Sequence, residues 1–148
     1  FNVNMTRHGS HGNGQTEDIL LHCWRIRLIG AEKIMGVSAH NVEEALQAER
    51  DGADYIGVGA VIFYEQRKKI RKMFTIKMLQ EIVKAVSIPV VAIGGINCSN
   101  VKYLHETGIS GIAVVSAILG AVQAYSAAKK MKKLVISTLN VNNKYSSN

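Results

Sequence analysis

Short apolar runs bounded by glycine, proline or polar residues recur along the chain. The clearest is Val90–Ile93, which follows Pro89 and precedes Gly94 and Gly95. Such a run is typical of a strand that is buried on both faces, as in a parallel sheet. Pro89 suits the first residue of this strand, because no N–H donor is needed there. The pattern predicts a buried strand that ends in a glycine turn.

A helical pattern follows this turn, with Ser99 as the predicted N-cap and with Val101 and Leu104 on the apolar face. Bare backbone N–H groups close to a helix start can hold an anion. Gly94 and Gly95 are therefore candidate phosphate-binding residues, with a simple tight turn as the alternative.

The same order of strand and helix repeats along the chain. The segments at 51–59 and 107–116 each show a helix-ending glycine, a short turn and a buried strand. Repeated units of this kind build parallel sheets or barrels, with ligands at the carboxyl ends of the strands. We therefore expect an α/β fold, with a long loop at 60–74 on the functional face. Its four parallel strands are predicted near 34–38, 54–59, 89–94 and 111–116.

The expected helices have recognisable ends. Asn41 and Glu44 form a capping-box-like pair, and Gly52 follows the last turn of that helix. A second helix should follow Thr75, and the last should run from about Val122 to Leu134.

The two ends of the chain have less regular patterns. Residues 1–18 show no apolar periodicity and are expected to be irregular, and a helix is possible over 19–29. The tail from Ser137 is rich in Asn and Ser and is expected to be disordered. Metal binding by His8 and His11 is disfavoured, since further ligands are scarce.

Composition narrows the class of protein. The chain has 148 residues, 47% of them hydrophobic, and a net charge of +7, which fits one domain. It has no apolar run long enough to span a membrane and no signal-peptide pattern, and Cys23 and Cys98 form no disulfide framework. We therefore expect a cytoplasmic protein. Because the chain opens at Phe1, it could also be a fragment of a longer one.

Four motifs together resemble the second half of thiamine-phosphate synthases, whose barrel the thiazole tautomerases share. The resemblance implies a partial TIM-type (β/α) barrel with about four parallel units. It also implies a transferase of thiamine biosynthesis that joins hydroxymethylpyrimidine diphosphate to thiazole phosphate, releases pyrophosphate and uses Mg²⁺. The motifs lie at 36–41, 52–59, 86–96 and 111–118.

The resemblance also implies roles for individual residues. Ser38 would be catalytic, close to the departing pyrophosphate, and Gly95 would bind the thiazole phosphate. Val115 and Ser116 would add contacts to that phosphate. Without the resemblance, Ser38 and Ser116 would be interpreted as ordinary residues at strand ends. We interpret His40 and His105 as surface or helix residues.

Other parts of the family pattern are changed or missing. Nothing corresponds to the pyrimidine-binding group or to the first metal aspartates. The family's second metal-binding carboxylate corresponds to Asp18 if one residue is inserted before it. Without an insertion, it corresponds to Glu17. The family's phosphate-binding motif in the long loop contains threonines that are absent from this chain. The lysine of that motif could correspond to Arg67, Lys68 or Lys69. A solvated loop is the alternative interpretation of these three basic residues.

These observations divide the chain into three parts: 1–32, a diverged remnant of an earlier βα unit; 33–134, the second half of the barrel; and 135–148, a disordered tail. The alternative to the synthase is a non-catalytic phosphate-binding or regulatory relative, or a degenerate fragment of the family. Since parts of the family pattern are missing, this chain alone is expected to have little or no synthase activity. Nucleic-acid binding is disfavoured, since no aromatic residues interleave with the basic ones. The expected partners are small phosphate substrates. Half a barrel would leave the strands at Lys33 and Gly111 as open edges, so self-association is also expected.

Overall fold

The computed structural model of the chain describes residues 2–5, 33–59 and 69–139, and side-chain surroundings over 33–59 and 76–139. Strands and helices alternate from Ile34 to Ala113, and two helices follow. The strands are β1 (Asn2–Met5), β2 (Ile34–Ala39), β3 (Tyr55–Val58), β4 (Val90–Ile93) and β5 (Gly111–Ala113). The helices are α1 (Val42–Arg50), α2 (Lys69–Ala85), a 3₁₀ helix (Val101–Leu104), α3 (Ser116–Leu119) and α4 (Ala124–Leu139).

The strands form one sheet in the order β1-β2-β3-β4-β5, and every neighbouring pair is parallel. The four predicted parallel strands are therefore confirmed, and each lies beside the next one in sequence. Sequential parallel strands joined by helices form the architecture of a partial (β/α) barrel. None of the described helices is long and apolar enough to cross a membrane.

The prediction of an irregular start to the chain is wrong for β1. This strand pairs with β2, with Asn2 opposite Ile34 and Met5 opposite Val37. Its residues alternate between polar and apolar, a period-2 signal typical of a strand but short enough to miss. The strand that follows Lys33 is consequently not an open edge, as half a barrel with four strands would have left it.

The core lies between the sheet and its helices. Alternate strand residues such as Val37, Ile56 and Val90 share one face through the register and are almost fully buried. Leu79 and Ile82 of α2 belong to the same cluster and are completely buried. Burial of a large aliphatic side chain contributes about 1.5–3 kcal/mol, so this face holds the helices on the sheet.

Helix α1 has the predicted caps at both ends. The Glu44 N–H donates to Asn41 Oδ1 at 2.8 Å, and the Asn41 side-chain amide donates to Glu44 Oε1 at 2.8 Å. At the other end Gly52 has φ +85°, and its N–H donates to the Glu49 carbonyl. The Ala53 N–H donates to the Ala48 carbonyl. This pair of bonds is a Schellman motif, which needs a left-handed residue at the glycine.

Three predicted boundaries differ from those observed. Helix α2 begins at Lys69, so residues 69–74 are helical rather than part of the long loop. Helix α4 extends to Leu139, so residues 135–139 do not belong to a disordered tail, and Met131 and Thr138 are buried on it. The helix expected after β4 is a single 3₁₀ turn.

Candidate functional site

The candidate site lies along the carboxyl ends of the parallel strands. Ile93 and Ala113 pair at the ends of β4 and β5, so the segments that follow these two strands begin side by side. Gly94 and Gly95 follow β4, while Val115 and Ser116 follow β5. The structure therefore places at one edge four of the residues expected to contact a phosphate.

The turn after β4 has a backbone that favours glycine at two successive positions. Gly94 has φ +95° and Gly95 has φ +65°. A residue with a Cβ is strained in this left-handed region, whereas glycine enters it freely. Gly95 is also exposed, so its bare backbone can be approached closely from solvent. This is the local geometry expected of a turn that cradles an anion.

A buried asparagine fixes the shape of this turn. The Asn100 side-chain amide donates to the Gly95 carbonyl at 2.8 Å, and Asn100 Oδ1 accepts the Asn97 N–H at 2.8 Å. Asn100 is only 6% exposed, so its own end of both bonds is shielded from water. Ser99 is not the helix N-cap that was predicted, because its N–H and its hydroxyl donate instead to Asn97 Oδ1. The short 3₁₀ turn begins after Asn100, which fills the cap position without a side-chain cap bond.

Ser38 lies on the sheet face opposite the helices. It pairs with Gly57, which in turn pairs with Val91, and Val91 pairs with Gly111. A Cβ placed on Gly57 would have its nearest neighbours at 3.9 Å, one of them Ser38 Oγ. A Cβ on Gly111 would meet nothing within 4 Å. The two glycines of this row thus leave space above the sheet on either side of Val91, next to Ser38 at Gly57.

At the other end of this face an aromatic ring fills the space. Gly36 pairs with Tyr55, and a Cβ on Gly36 would lie 2.0 Å from the Tyr55 ring. Tyr55 therefore covers the backbone of Gly36. The room next to Ser38 lies nearer to the carboxyl ends of the strands, where barrel enzymes place their sites.

Two titratable side chains that follow β2, those of His40 and Glu44, interact with each other. Glu44 Oε2 accepts the His40 N–H at 2.8 Å and lies 3.0 Å from His40 Nδ1. Partial burial raises the pKa of Glu44, but the hydrogen bonds and charge of His40 and the Asn41 amide together hold it below its ordinary value. Because its oxygens already bond to His40 and Asn41, the Glu44 carboxylate contributes to the cap of α1. This agrees with the interpretation of His40 as a surface residue.

Several candidate residues lie outside the part of the chain with described side chains. Asp18, Arg67 and Lys68 are outside the described residues altogether. Lys69 is the first residue of α2. Within the described ranges no group of three His, Cys, Asp or Glu side chains is placed to hold a metal ion. The metal and basic-loop predictions therefore remain predictions.

Three residues of this site were missed by sequence reasoning: Gly57, Asn100 and Gly111. Asn100 had one available signal, since an Asn that follows a glycine turn often bonds to nearby backbone groups. The glycines sit within apolar runs, where the absence of a side chain can mark a close backbone approach. The space that these glycines leave beside Ser38 depends on the register of the strands, which the sequence does not reveal directly.

Comparison with known proteins identifies relatives of the chain. A family model described as thiamine monophosphate synthase matches residues 18–118. A thiamine-phosphate synthase from Clostridium tetani is 58% identical over 94 residues, 64% of this chain and 44% of the relative. The enzyme of the same name from Pyrococcus abyssi is 47% identical over 113 residues, which are 76% and 54% of the two chains.

A solved structure agrees with these sequence relatives. The thiamine phosphate pyrophosphorylase from Pyrococcus furiosus superimposes with a TM-score of 0.72 and 34% identity. The match covers 93% of this chain and 60% of that one. The chain thus spans about half the length of the curated relatives it matches.

Proposed function

Because the chain belongs to the thiamine monophosphate synthase family, we propose that it carries the thiazole-phosphate half of a synthase site. The complete reaction joins hydroxymethylpyrimidine diphosphate to thiazole phosphate and releases pyrophosphate. The observation that carries the proposal is the double left-handed turn at Gly94 and Gly95, beside the end of β5.

In this proposal the phosphate of the thiazole lies between the two neighbouring strand ends. Backbone N–H groups of the turn and of Val115, together with Ser116, would donate to its oxygens. Asn100 would hold the Gly95 carbonyl away from the anion, because that oxygen already accepts the Asn100 amide at 2.8 Å. Preorganised donors of this kind stabilise charge without having to reorganise.

Ser38 would act on the other substrate. Its hydroxyl lies on the open face of the sheet, next to the space above Gly57. From there it could donate a hydrogen bond to the departing pyrophosphate, as the family resemblance implies. Arg67, Lys68 and Lys69 would add positive charge to the same group from the segment that enters α2.

Magnesium belongs to the proposal through the resemblance, with Asp18 as its carboxylate. The described residues provide no cluster of metal ligands of their own. The remaining ligands would therefore have to come from outside the described ranges or from a second chain.

We propose in addition that the working form is an assembly in the cytoplasm. The proposed domain of barrel units, 33–134, is extended by β1 at its start and by the last residues of α4 at its end. The open face of its sheet includes Ile34, which is 59% exposed. Cys98 is a free thiol, in keeping with a reducing compartment. Self-association would cover exposed apolar surface and could supply groups that one copy lacks.

The experiment that tests the proposal is a synthase assay on the purified chain with both substrates and Mg²⁺. We expect thiamine phosphate to form far more slowly than the ~10 s⁻¹ typical of enzymes. The reason is that one lost electrostatic donor costs roughly 2.7–4 kcal/mol, and several are absent from the matched segment. Turnover at the typical rate would show that one chain, or its assembly, completes the site.

The second candidate is a phosphate-binding relative without catalysis. It is favoured by the same turn, because backbone N–H groups in such a turn can bind an anion without any catalytic group. Binding of thiazole phosphate with no product, even at high protein concentration, would support this alternative.

A further inference from the structure

One glycine of the candidate site has no structural reason within the described part of the chain. Gly111 begins β5 and pairs with Val91 of β4. The described glycines with a positive φ do not include Gly111, so its backbone could carry a side chain. A Cβ at this position would meet no atom within 4 Å. Because glycine weakens a strand, its presence here needs another explanation.

Two other glycines on the same face of the sheet differ from Gly111 in this respect. A Cβ on Gly36 would collide with the Tyr55 ring, and a Cβ on Gly59 would lie 3.1 Å from Ile93 Cγ2. Close packing inside the chain therefore accounts for both of these glycines. The described residues make no such use of the space above Gly111.

The surroundings of this space are apolar and uncharged. Val91 lies beside Gly111, and Ala113 follows two residues later on the same face of β5. All three residues are partly exposed, whereas Ala92, on the opposite face, is completely buried. An uncharged surface of this kind suits a neutral ring better than a phosphate group, whose charge would lose water without gaining a partner.

The space also lies within reach of the proposed phosphate site. The phosphate would bind between the turns that follow β4 and β5, and these strands end at Ile93 and Ala113. A strand rises about 3.3 Å per residue, so the pair formed by Val91 and Gly111 lies about 7 Å before those ends. A ring joined by a short arm to a phosphate at the turns would therefore lie on this pair.

We infer that the thiazole ring of the substrate lies on the pair formed by Val91 and Gly111, and that Gly111 determines specificity by leaving room for the ring. The inference rests on the proposed function and extends it from the phosphate to the ring. Val91 would supply an apolar contact to the ring. A side chain at position 111 would occupy the place of the ring without touching the phosphate.

The test is isothermal titration of the full chain with thiazole phosphate and with inorganic phosphate, which lacks the ring. We expect the native chain to bind thiazole phosphate about tenfold more tightly than inorganic phosphate, because the ring buries apolar surface. Gly111→Ala should remove this difference and leave the dissociation constant of inorganic phosphate unchanged. Since a Cβ fits at this position, the midpoint of urea denaturation should not fall.

Gly57→Ala is the matched control. Gly57 lies in the same row on the other side of Val91, and a Cβ there would have its nearest neighbours at 3.9 Å. Gly57 is buried, so it lies apart from the partly exposed surface that the ring would cover. This substitution should leave the tighter binding of thiazole phosphate in place.

The results that would overturn the inference can be told apart. If Gly111→Ala bound thiazole phosphate as tightly as the native chain, the ring would lie elsewhere and the phosphate site would stand. Equal losses in the two alanine variants would refute the placement of the ring on β4 and β5. A lower urea midpoint for Gly111→Ala, or weaker binding of inorganic phosphate, would give Gly111 a structural role instead.

The native chain alone separates this inference from the proposed function. Equal binding of thiazole phosphate and inorganic phosphate would refute the placement of the ring and leave the phosphate site intact. Binding of neither ligand would refute the proposed function, and the inference with it.

Discussion

At the scale of single residues, the candidate phosphate site depends on backbone conformation more than on side-chain chemistry. Gly94 and Gly95 supply two left-handed conformations in succession, and Asn100 fixes the second by binding its carbonyl. The glycines could be selected from the sequence, because a glycine pair ends one apolar run and a second run of the same kind follows at 111–116. The part played by Asn100 could not, since it depends on burial and on two contacts across the turn.

The role of Gly95 can be tested with inorganic phosphate or thiazole phosphate and a thermal melt. Either ligand should raise the melting temperature of the native chain by mass action. Gly95→Val should abolish this increase, because a side chain blocks the approach of the ligand and strains the turn. Gly52→Val is the matched control, since Gly52 also has a left-handed φ but caps the far end of α1. Its melting temperature should fall while the increase with ligand remains. Equal increases in both variants would place phosphate binding elsewhere.

Asn100→Ala tests what holds the turn. The substitution leaves the Gly95 carbonyl and the Asn97 N–H without their partner, which should lower the free energy of unfolding by about 1–3 kcal/mol. Urea denaturation measures this change. Ser99→Ala, at an exposed neighbouring position, should lower the free energy of unfolding by less, because water can replace the hydrogen bonds of the Ser99 hydroxyl. If the two variants lost the same stability, Asn100 would have no special part in the turn.

At the scale of elements, one contact ties α1 to the turn that leads into β4. Glu49 Oε1 accepts the Ser87 N–H at 2.8 Å and also accepts the Ser87 hydroxyl. The Ser87 side chain, followed by its backbone N–H, holds the pKa of Glu49 below its ordinary value of 4.5. The sequence predicts both elements but not this link, which joins residues far apart in the chain. By contrast, the caps of α1 were predictable because they are local.

A lowered carboxyl pKa stabilises the fold only while the group is ionised. We therefore expect Glu49→Gln to be less stable than the native chain at neutral pH. The difference should shrink as the pH falls below about 4.5. Urea denaturation at a series of pH values measures it, with Glu81→Gln as the control for an exposed carboxylate that forms only a weak pair with Lys77. A difference that persisted unchanged into strong acid would contradict the role of ionised Glu49.

At the scale of the whole molecule, the sequence predicted a parallel α/β sheet and the family, but not the extent of the sheet. The four strands were recognisable because each is an apolar run between turn residues. Strand β1 was not predicted because its alternation of polar and apolar residues spans only four positions. Its pairing with β2 is a long-range contact, which such a pattern does not indicate. The start of α2 was misplaced because its first turns contain several basic residues and resemble a charged loop.

We propose that this chain binds thiazole phosphate, and that the residues of this sequence include no counterpart of the family's pyrimidine-binding group. Isothermal titration of the native chain with each substrate separately tests it most directly, with the thiazole alcohol that lacks phosphate as the control ligand. We expect saturable binding of thiazole phosphate, binding of the alcohol that is at least tenfold weaker, and no measurable binding of hydroxymethylpyrimidine diphosphate. Tight binding of the pyrimidine diphosphate, or equal binding of the thiazole with and without its phosphate, would contradict it.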